Sequence, residues 1–375
     1  MPGPLIADAS TDAFAYSLRQ LRVVFREAAA DDIGTELERM GGVRTLVVCT
    51  PGRAQTAQRI AAGAAGDRII AVFDGAREHV PADLVDSVTR LVARERPDSL
   101  IAVGGGSAIG LAKALALHAP MPILAVPTTY SGSEMTRVWG MTADGRKNTG
   151  RDERVAPRVI VYDPLLTYDL PAGTSVTSGM NAIAHAVEAL YAPDANPVAS
   201  LLAAGAIERL ARALRALADL HRESAGAAVR GEATHARHEA LLGAHLAGRA
   251  LDMTSMGLHH KLCHALGGMF DAPHALTHAI LLPCVASFLL PASPLATKAV
   301  SEALGEGDAG AGLFALRANL GIHATLRDLG LDGADLDAVA AAVAPAAPEH
   351  PRKPSTADVR AILEAAWRGR DPSDD

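Results

Sequence analysis

The sequence predicts an N-terminal α/β domain, residues 1–170, with a parallel sheet wrapped by helices, followed by an all-α domain, residues 171–375. Three observations predict it. Up to about residue 165, short β-branched or aliphatic runs alternate with stretches rich in helix formers, the pattern of a parallel sheet with crossover helices. After Pro171 the strand signal disappears and Ala, Leu, Arg and Glu dominate. Within the first half, Gly104, Gly105 and Gly106 directly follow one strand candidate and precede a helix, a junction at which wound sheets bind ligands.

Taken in order, the strands are expected over Thr45–Cys49, Arg68–Phe73, Ser99–Val103, Pro122–Val126 and Val159–Tyr162. Between them Ala54–Ala62, Pro81–Glu95 and Ala108–His118 read as helices. In the second half the longest helical runs are Val198–His221 and His235–Ala250, separated by Gly and Pro punctuation. A proline-rich connection over Val343–Pro354 leads to a last helix, opened by Ser355 or Thr356 as a cap and running to Trp367. The sequence has no internal repeat, and its Ala-rich stretches are helix-forming bias.

Composition sets further bounds. A chain of 375 residues, 49% hydrophobic and 21% charged, can bury two cores. A net charge of −7 without a basic block argues against nucleic acid as a partner. Met1–Ser10 has no basic start followed by an apolar core, and no uninterrupted apolar stretch reaches membrane-span length, so neither export nor membrane association is expected. Three cysteines, an odd number in apolar surroundings, suggest reduced buried thiols. The expected location is the cytoplasm.

Glycines at a strand-to-helix turn let backbone approach a diphosphate, whose charge is stabilised by the free amides of the helix start. The spacing around Gly104, Gly105, Gly106 and Ser107 is neither the Rossmann fingerprint nor a P-loop. A second loop, Pro127 to Glu134, follows the next strand and carries Thr128, Thr129, Tyr130 and Ser133. Two loops rich in glycine and hydroxyls at the carboxyl edge of one sheet favour a dinucleotide. The first strand ends at Thr50, also a candidate contact, with no acidic residue at its tip. A 2′-phosphate need not be repelled there, so NADH and NADPH are both expected to bind.

The second half holds Asn181, His185, His260 and His274. On a helix Asn181, His185 and Glu188 share a face, as do His260 and His264. His259 and His278 crowd the same apolar, glycine-containing stretch. A carboxylate in place of Asn181 would complete a cage of one Asp and three His for a divalent metal; a neutral amide is a much poorer ligand. The zincin pattern is absent, because Lys261 stands where its general-base Glu belongs.

The order Gly104-Gly105-Gly106-Ser107, Pro127-Thr128-Thr129 through Gly132-Ser133-Glu134, Gly179-Met180 through His185-Ala186 and Glu188, His260 with His264, and Pro273-His274 resembles the iron-containing alcohol dehydrogenase family. Within it the chain is most similar to the maleylacetate reductase branch. Gly110 replaces the family's Asp, Tyr130 to Asp152 resembles the branch signature, and Asn181 replaces the ligand Asp. Three features depart from the branch: Val23 to Ala28 lacks its glycine turn, Arg137 stands where a proline is common, and the N-terminal segment is longer than typical.

The resemblance implies a Rossmann-like dinucleotide-binding domain and an all-helical catalytic domain in a dehydroquinate synthase-like architecture. It implies NADH- or NADPH-dependent reduction of the maleylacetate double bond to 3-oxoadipate in aromatic and chloroaromatic degradation, no required metal, and a homodimer. His264 and His274 would then be general acid and oxyanion donor, with Asn181, His185 and His260 orienting substrate. A small dicarboxylate needs cations, for which Arg146, Lys147 and Arg151 on a loop, with Tyr130 nearby, are the candidates; Arg137 ranks after them. The alternative is an Fe- or Zn-dependent alcohol or aldehyde oxidoreductase, its metal held by His185, His260 and His274.

Overall fold

A computed structural model describes residues 14–63, 65–222 and 229–370. The chain divides into two compact units, Leu18–Leu170 and a second built on Pro171–Asp375.

The first unit contains β1 (Arg22–Phe25), α1 (Ile33–Met40), β2 (Thr45–Cys49), α2 (Ala54–Ala62), β3 (Ile69–Phe73), α3 (Ala82–Glu95), β4 (Ser99–Gly104), α4 (Gly106–His118), β5 (Ile123–Pro127), β6 (Val138–Ala143), β7 (Arg146–Arg151) and β8 (Val159–Tyr162). Six strands form one sheet in the order β1-β8-β5-β4-β2-β3, every pair parallel. β2, β4 and β5 are buried along their whole length, which is why they read as unbroken apolar runs.

Pleating sends alternate residues to opposite faces. Leu46, Val48, Leu100 and Ala102 join the core with α3 and α4. Val47, Cys49, Ile101 and Val103 join the core with α1 and α2. α2 leads from β2 outward to β3, whereas α4 leads from β4 the other way to β5. The strand order therefore reverses between β2 and β4, and a crevice opens at their carboxyl ends.

Two elements differ from expectation. β1 forms an edge strand, in register with β8 from Arg22↔Val159 to Phe25↔Tyr162. The stretch expected as a basic loop is the antiparallel hairpin β6–β7, joined at Asp144-Gly145, both at positive φ. A turn of two residues suited to that backbone supplied the missed signal.

The second unit is helical: α5 (Ala172–Leu190), α6 (Pro197–Arg222), α7 (Val229–Asp252), α8 (Leu258–Phe270), α9 (His274–Leu289), α10 (Pro294–Leu304), α11 (Ala309–Asn319), α12 (Gly333–Val343) and α13 (Thr356–Arg368). α5 is buried almost throughout and packs against α6, α7 and α9. Ser355 caps α13 in a capping box with Asp358, matching the expected start. Only His274–Ala292 among the described residues is long and apolar enough to cross a membrane, and 67% of that window is buried inside the protein.

Candidate active site

The nucleotide-type loops of the first unit stand at the sheet's switch point. Thr50 follows β2, Gly104 to Ser107 bridge β4 and α4, and Thr128, Thr129 and Ser133 follow β5, so the three segments lie on neighbouring strands. α4 starts at Gly106, two residues earlier than expected, so Ser107 belongs to its first turn, which carries no acidic residue. That helix start favours an anion.

Gly104 has φ +147, a conformation that side chains with Cβ rarely adopt. A Cβ on Gly105 would lie 2.7 Å from Thr129 Oγ1 and 2.8 Å from its Cγ2. Thr129 thus packs directly on the glycine backbone, and the Thr128 amide donates to the Gly104 carbonyl at 3.1 Å. The hydroxyls of Thr128, Ser131 and Ser133 are buried without a hydrogen-bond partner. Unsatisfied hydroxyls beside a glycine turn and an unopposed helix start fit a diphosphate and ribose.

Beneath this loop lies a polar network that the sequence reading did not pick out. Lys113 of α4 is buried and donates to the carbonyls of Ser133 at 2.7 Å and Val138 at 2.9 Å, and to Thr136 Oγ1 at 3.0 Å. The lone cation in an otherwise apolar helix was the available clue. Glu134 is wholly buried and accepts from the Tyr162 hydroxyl at 2.7 Å. Burial pushes the Glu134 carboxyl up, and burial together with Glu134 pushes the Tyr162 hydroxyl well up.

Among the substrate candidates, Tyr130 is fully buried. Arg137 is paired with Glu153 at 2.7 Å. Because Arg146, Lys147 and Arg151 lie on β7, alternation puts Lys147 and Arg151 on one face and Arg146 on the other. They are not a single cationic patch. Gly140 sits opposite Thr149, and a Cβ there would lie 3.2 Å from Lys147 Cε, so the lysine stem runs across that glycine.

In the second unit three helices converge. α5 supplies Asn181, His185 and Glu188; α8 supplies His259, His260, Cys263 and His264; α9 supplies His274 and His278. Asn181, His185, Glu188, His259, His260 and His278 are buried, whereas His264 and His274 are partly exposed. The His185 and His260 rings stack with centroids 5.0 Å apart, and those of His264 and His274 stack at 6.3 Å.

Glu188 organises the cluster. It accepts from the amides of Gly257 at 3.0 Å and His259 at 2.8 Å, capping α8 from another helix. Its Oε2 also pairs with His260 Nδ1. A Cβ on Gly257 would lie 2.7 Å from Glu188 Oε1, so only glycine admits the carboxylate. Burial opposes the charge on Glu188, yet its carboxyl is held below the usual range by His260, His259 and the Gly257 amide.

With Nδ1 bonded to Glu188, His260 Nε2 is buried without a partner, and so is Asn181 Oδ1. His259 Nε2 and His278 Nδ1 share a hydrogen bond of 2.8 Å. Burial pushes the His259 imidazole down to about 3 and His278 well below its ordinary value. Both rings are therefore neutral.

These residues fit a divalent transition ion chemically. His185, His260 and His274 would hold it, Glu188 orients His260 as carboxylates orient metal-binding imidazoles, and Asn181 Oδ1 is a weak fourth donor. His260 Nε2 and Asn181 Oδ1 also fit hydrogen bonds to an organic substrate.

Residues 21–164 match the iron-containing alcohol dehydrogenase family, and residues 175–367 match the C-terminal part of the Fe-containing alcohol dehydrogenase family. The maleylacetate reductase of Sphingobium indicum is 44% identical over 362 residues, covering 96% of this chain and 99% of its own. Maleylacetate reductase 2 of Cupriavidus pinatubonensis is 46% identical over 362 residues, covering 94% and 96%. The crystal structure of maleylacetate reductase from Agrobacterium tumefaciens aligns with a TM-score of 0.86 at 38% identity, over 96% of this chain and 100% of that one.

Proposed function

The chain is an oxidoreductase that belongs to the iron-containing alcohol dehydrogenase family, and from that premise we propose that it reduces the carbon–carbon double bond of maleylacetate with NADH or NADPH to give 3-oxoadipate. The observation that carries the reading is the Asn181 amide in the histidine site. Asn181 stands where metal-using relatives place a carboxylate, and the Glu188 carboxylate is committed to two amides and His260. A dianionic substrate then meets one carboxylate fewer, and the one that remains is turned onto donors of its own.

The balanced reaction is maleylacetate plus NAD(P)H plus H⁺ to 3-oxoadipate plus NAD(P)⁺. Hydride adds to the alkene carbon two removed from the ketone, the alkene pair moves onto the ketone oxygen as an enolate, and a proton goes to the carbon beside the ketone. Partial exposure of the His264 and His274 rings supports their acting on substrate. His264 supplies the proton and His274 an N–H to the enolate oxygen. Asn181, His185 and His260 orient the substrate from the buried side. Lys147 and Arg151 take its carboxylates. A bound Fe or Zn would supply Lewis-acid stabilisation to the same oxygen; the protein donors make it dispensable.

Glycine backbone, the α4 start and the hydroxyls of Thr50, Ser107, Thr128, Thr129 and Ser133 hold the dinucleotide, and the acid-free tip of β2 accommodates both NADH and NADPH. A homodimer in the cytoplasm completes the reading; three buried free cysteines accord with a reducing compartment.

Purified enzyme mixed with maleylacetate should oxidise NADH equally before and after treatment with a strong chelator, with metal content measured in both samples. No oxidation would sink the assignment. Activity lost on chelation and restored by Fe or Zn would favour the metal-dependent alternative.

A further inference from the structure

The cluster contains a histidine pair that the reduction as described leaves unused. His278 touches His259 through the 2.8 Å bond between His259 Nε2 and His278 Nδ1. Its ring lies 4.5 Å from that of His274, 5.1 Å from His260 and 6.0 Å from His185, all near-perpendicular. It is therefore packed among the residues assigned to the substrate. His278 Nε2 is buried without a partner, as is His259 Nδ1.

Along that bond one nitrogen donates and the other accepts, with Cys263 Sγ 3.7 Å from the same His259 Nε2, so two arrangements of the pair exist. If His278 Nδ1 donates, its Nε2 is bare, and a buried N–H is stranded on His259 Nδ1. His278 Nε2 is then a bare acceptor among the site rings, with no N–H to offer a developing oxyanion. If His259 Nε2 donates, His278 must carry its proton on Nε2, so the bare acceptor is left on His259 and the N–H without a protein partner lies on the ring packed among the site histidines. Each arrangement strands one buried N–H, which is costly, and only the second leaves it where an oxygen of a bound substrate could accept from it.

The trio His259, Cys263 and His278 brings ligand atoms within 4.8 Å of one another. As a metal site it lacks the usual support, because the outward nitrogens His259 Nδ1 and His278 Nε2 have no carboxylate or carbonyl to donate to. The nitrogen separation is that of a hydrogen bond.

We propose that His278 is a further catalytic residue, presenting an Nε2–H to the enolate oxygen from the buried side, and that His259 is a positioning residue that fixes this tautomer by donating to His278 Nδ1. The proposal rests on the reductase reading for its substrate but not for its tautomer. The hydrogen bond transfers no atom; it lowers the energy of the charge that hydride delivery creates.

Two measurements test it. The first is independent of substrate: nitrogen-15 NMR of histidine-labelled enzyme, with the His278 signals assigned by their loss in His278→Gln. Expected is a protonated Nε2 and a bare Nδ1 on His278; the reverse overturns the proposal whether or not maleylacetate is turned over. Stoichiometric zinc in the purified enzyme that disappears in Cys263→Ser would overturn it as well.

The second is kinetic. His278→Phe should lower kcat with maleylacetate by roughly 100-fold, as for loss of one oxyanion donor, with KM for NADH unchanged. His259→Leu should lower kcat at least about 10-fold, whereas His259→Gln, which retains a donor, should recover most of it. Gln at 278 offers an amide N–H without help from His259, so His259→Leu should cost nothing further in His278→Gln. Equal losses from His259→Leu in both backgrounds, or no loss in His278→Phe, would overturn the proposal. A wild-type enzyme inert toward maleylacetate with the expected tautomer would instead refute the substrate.

Discussion

Glu188 on α5 and His260 on α8 are joined side chain to side chain, and the same carboxylate accepts from the amides of Gly257 and His259 at the start of α8. The orientation of a site imidazole and the capping of its helix are thus one structural event. Glu188→Gln keeps the shape but removes the charge. It should cost about 1.5–3 kcal/mol in denaturant unfolding and roughly 10–100-fold in kcat. A variant with parental stability would show that the cap is carried by other groups.

His264→Ala and His274→Ala address the partly exposed pair. Each should lower kcat by roughly 10²–10⁴-fold, while KM for NADH stays near parental. Near-normal turnover in both would remove them from the mechanism.

Gly105→Ala places a methyl 2.7 Å from Thr129 Oγ1. Overpacking of this kind costs about 1–3 kcal/mol, and because it falls on the glycine turn it should raise KM for the dinucleotide more than for maleylacetate. Thr129→Ser in the same chain should relieve part of the effect. Unchanged cofactor affinity in Gly105→Ala would argue against the dinucleotide at this turn.

The alternation of β7 separates the three basic candidates. Lys147→Ala and Arg151→Ala should each raise KM for the diacid about 10-fold or more, as expected for loss of a charged contact worth roughly 1.5–3 kcal/mol. Arg146→Ala, on the opposite face, should change it less than about twofold. If Arg146→Ala has the largest effect, the other face of the hairpin meets substrate.

Burial raises the Glu134 carboxyl pKa, so the folded chain holds this proton more tightly than the unfolded chain. Its contribution to stability is complete below the unfolded value of about 4.3 and is lost as pH rises through the folded one. Glu134→Gln preserves an acceptor for the Tyr162 hydroxyl. Its denaturation midpoint should fall less between pH 4 and pH 8 than the parent's, with the advantage greatest at the upper end. Parallel pH profiles would show that Glu134 is not the group responsible.

The central strands were legible because β2, β4 and β5 are buried on both faces and must be apolar throughout. The hairpin was not, because β6 is only half-buried and β7 is built from Arg, Lys, Asn, Thr and Gly, a composition that resembles a loop. Asn181 with His185 and His260 with His264 stood out through helical spacing, and His274 through the Pro273-His274 motif; the structure places the five on three converging helices. The capping role of Glu188 was hidden, since it joins residues 69 and 71 positions apart. Lys113 was missed, and Glu134 read only as part of a loop motif, for a similar reason: a buried charge is identified by partners that only folding supplies.

The reversal of strand order between β2 and β4 also bears on how this protein can be altered. A recess made by topology and lined by glycine amides places little demand on side-chain identity. On the proposed coenzyme placement, preference between the two nicotinamide coenzymes can therefore be redesigned at one spot, by adding an acid or an arginine next to Thr50, without touching the histidines proposed to act on substrate.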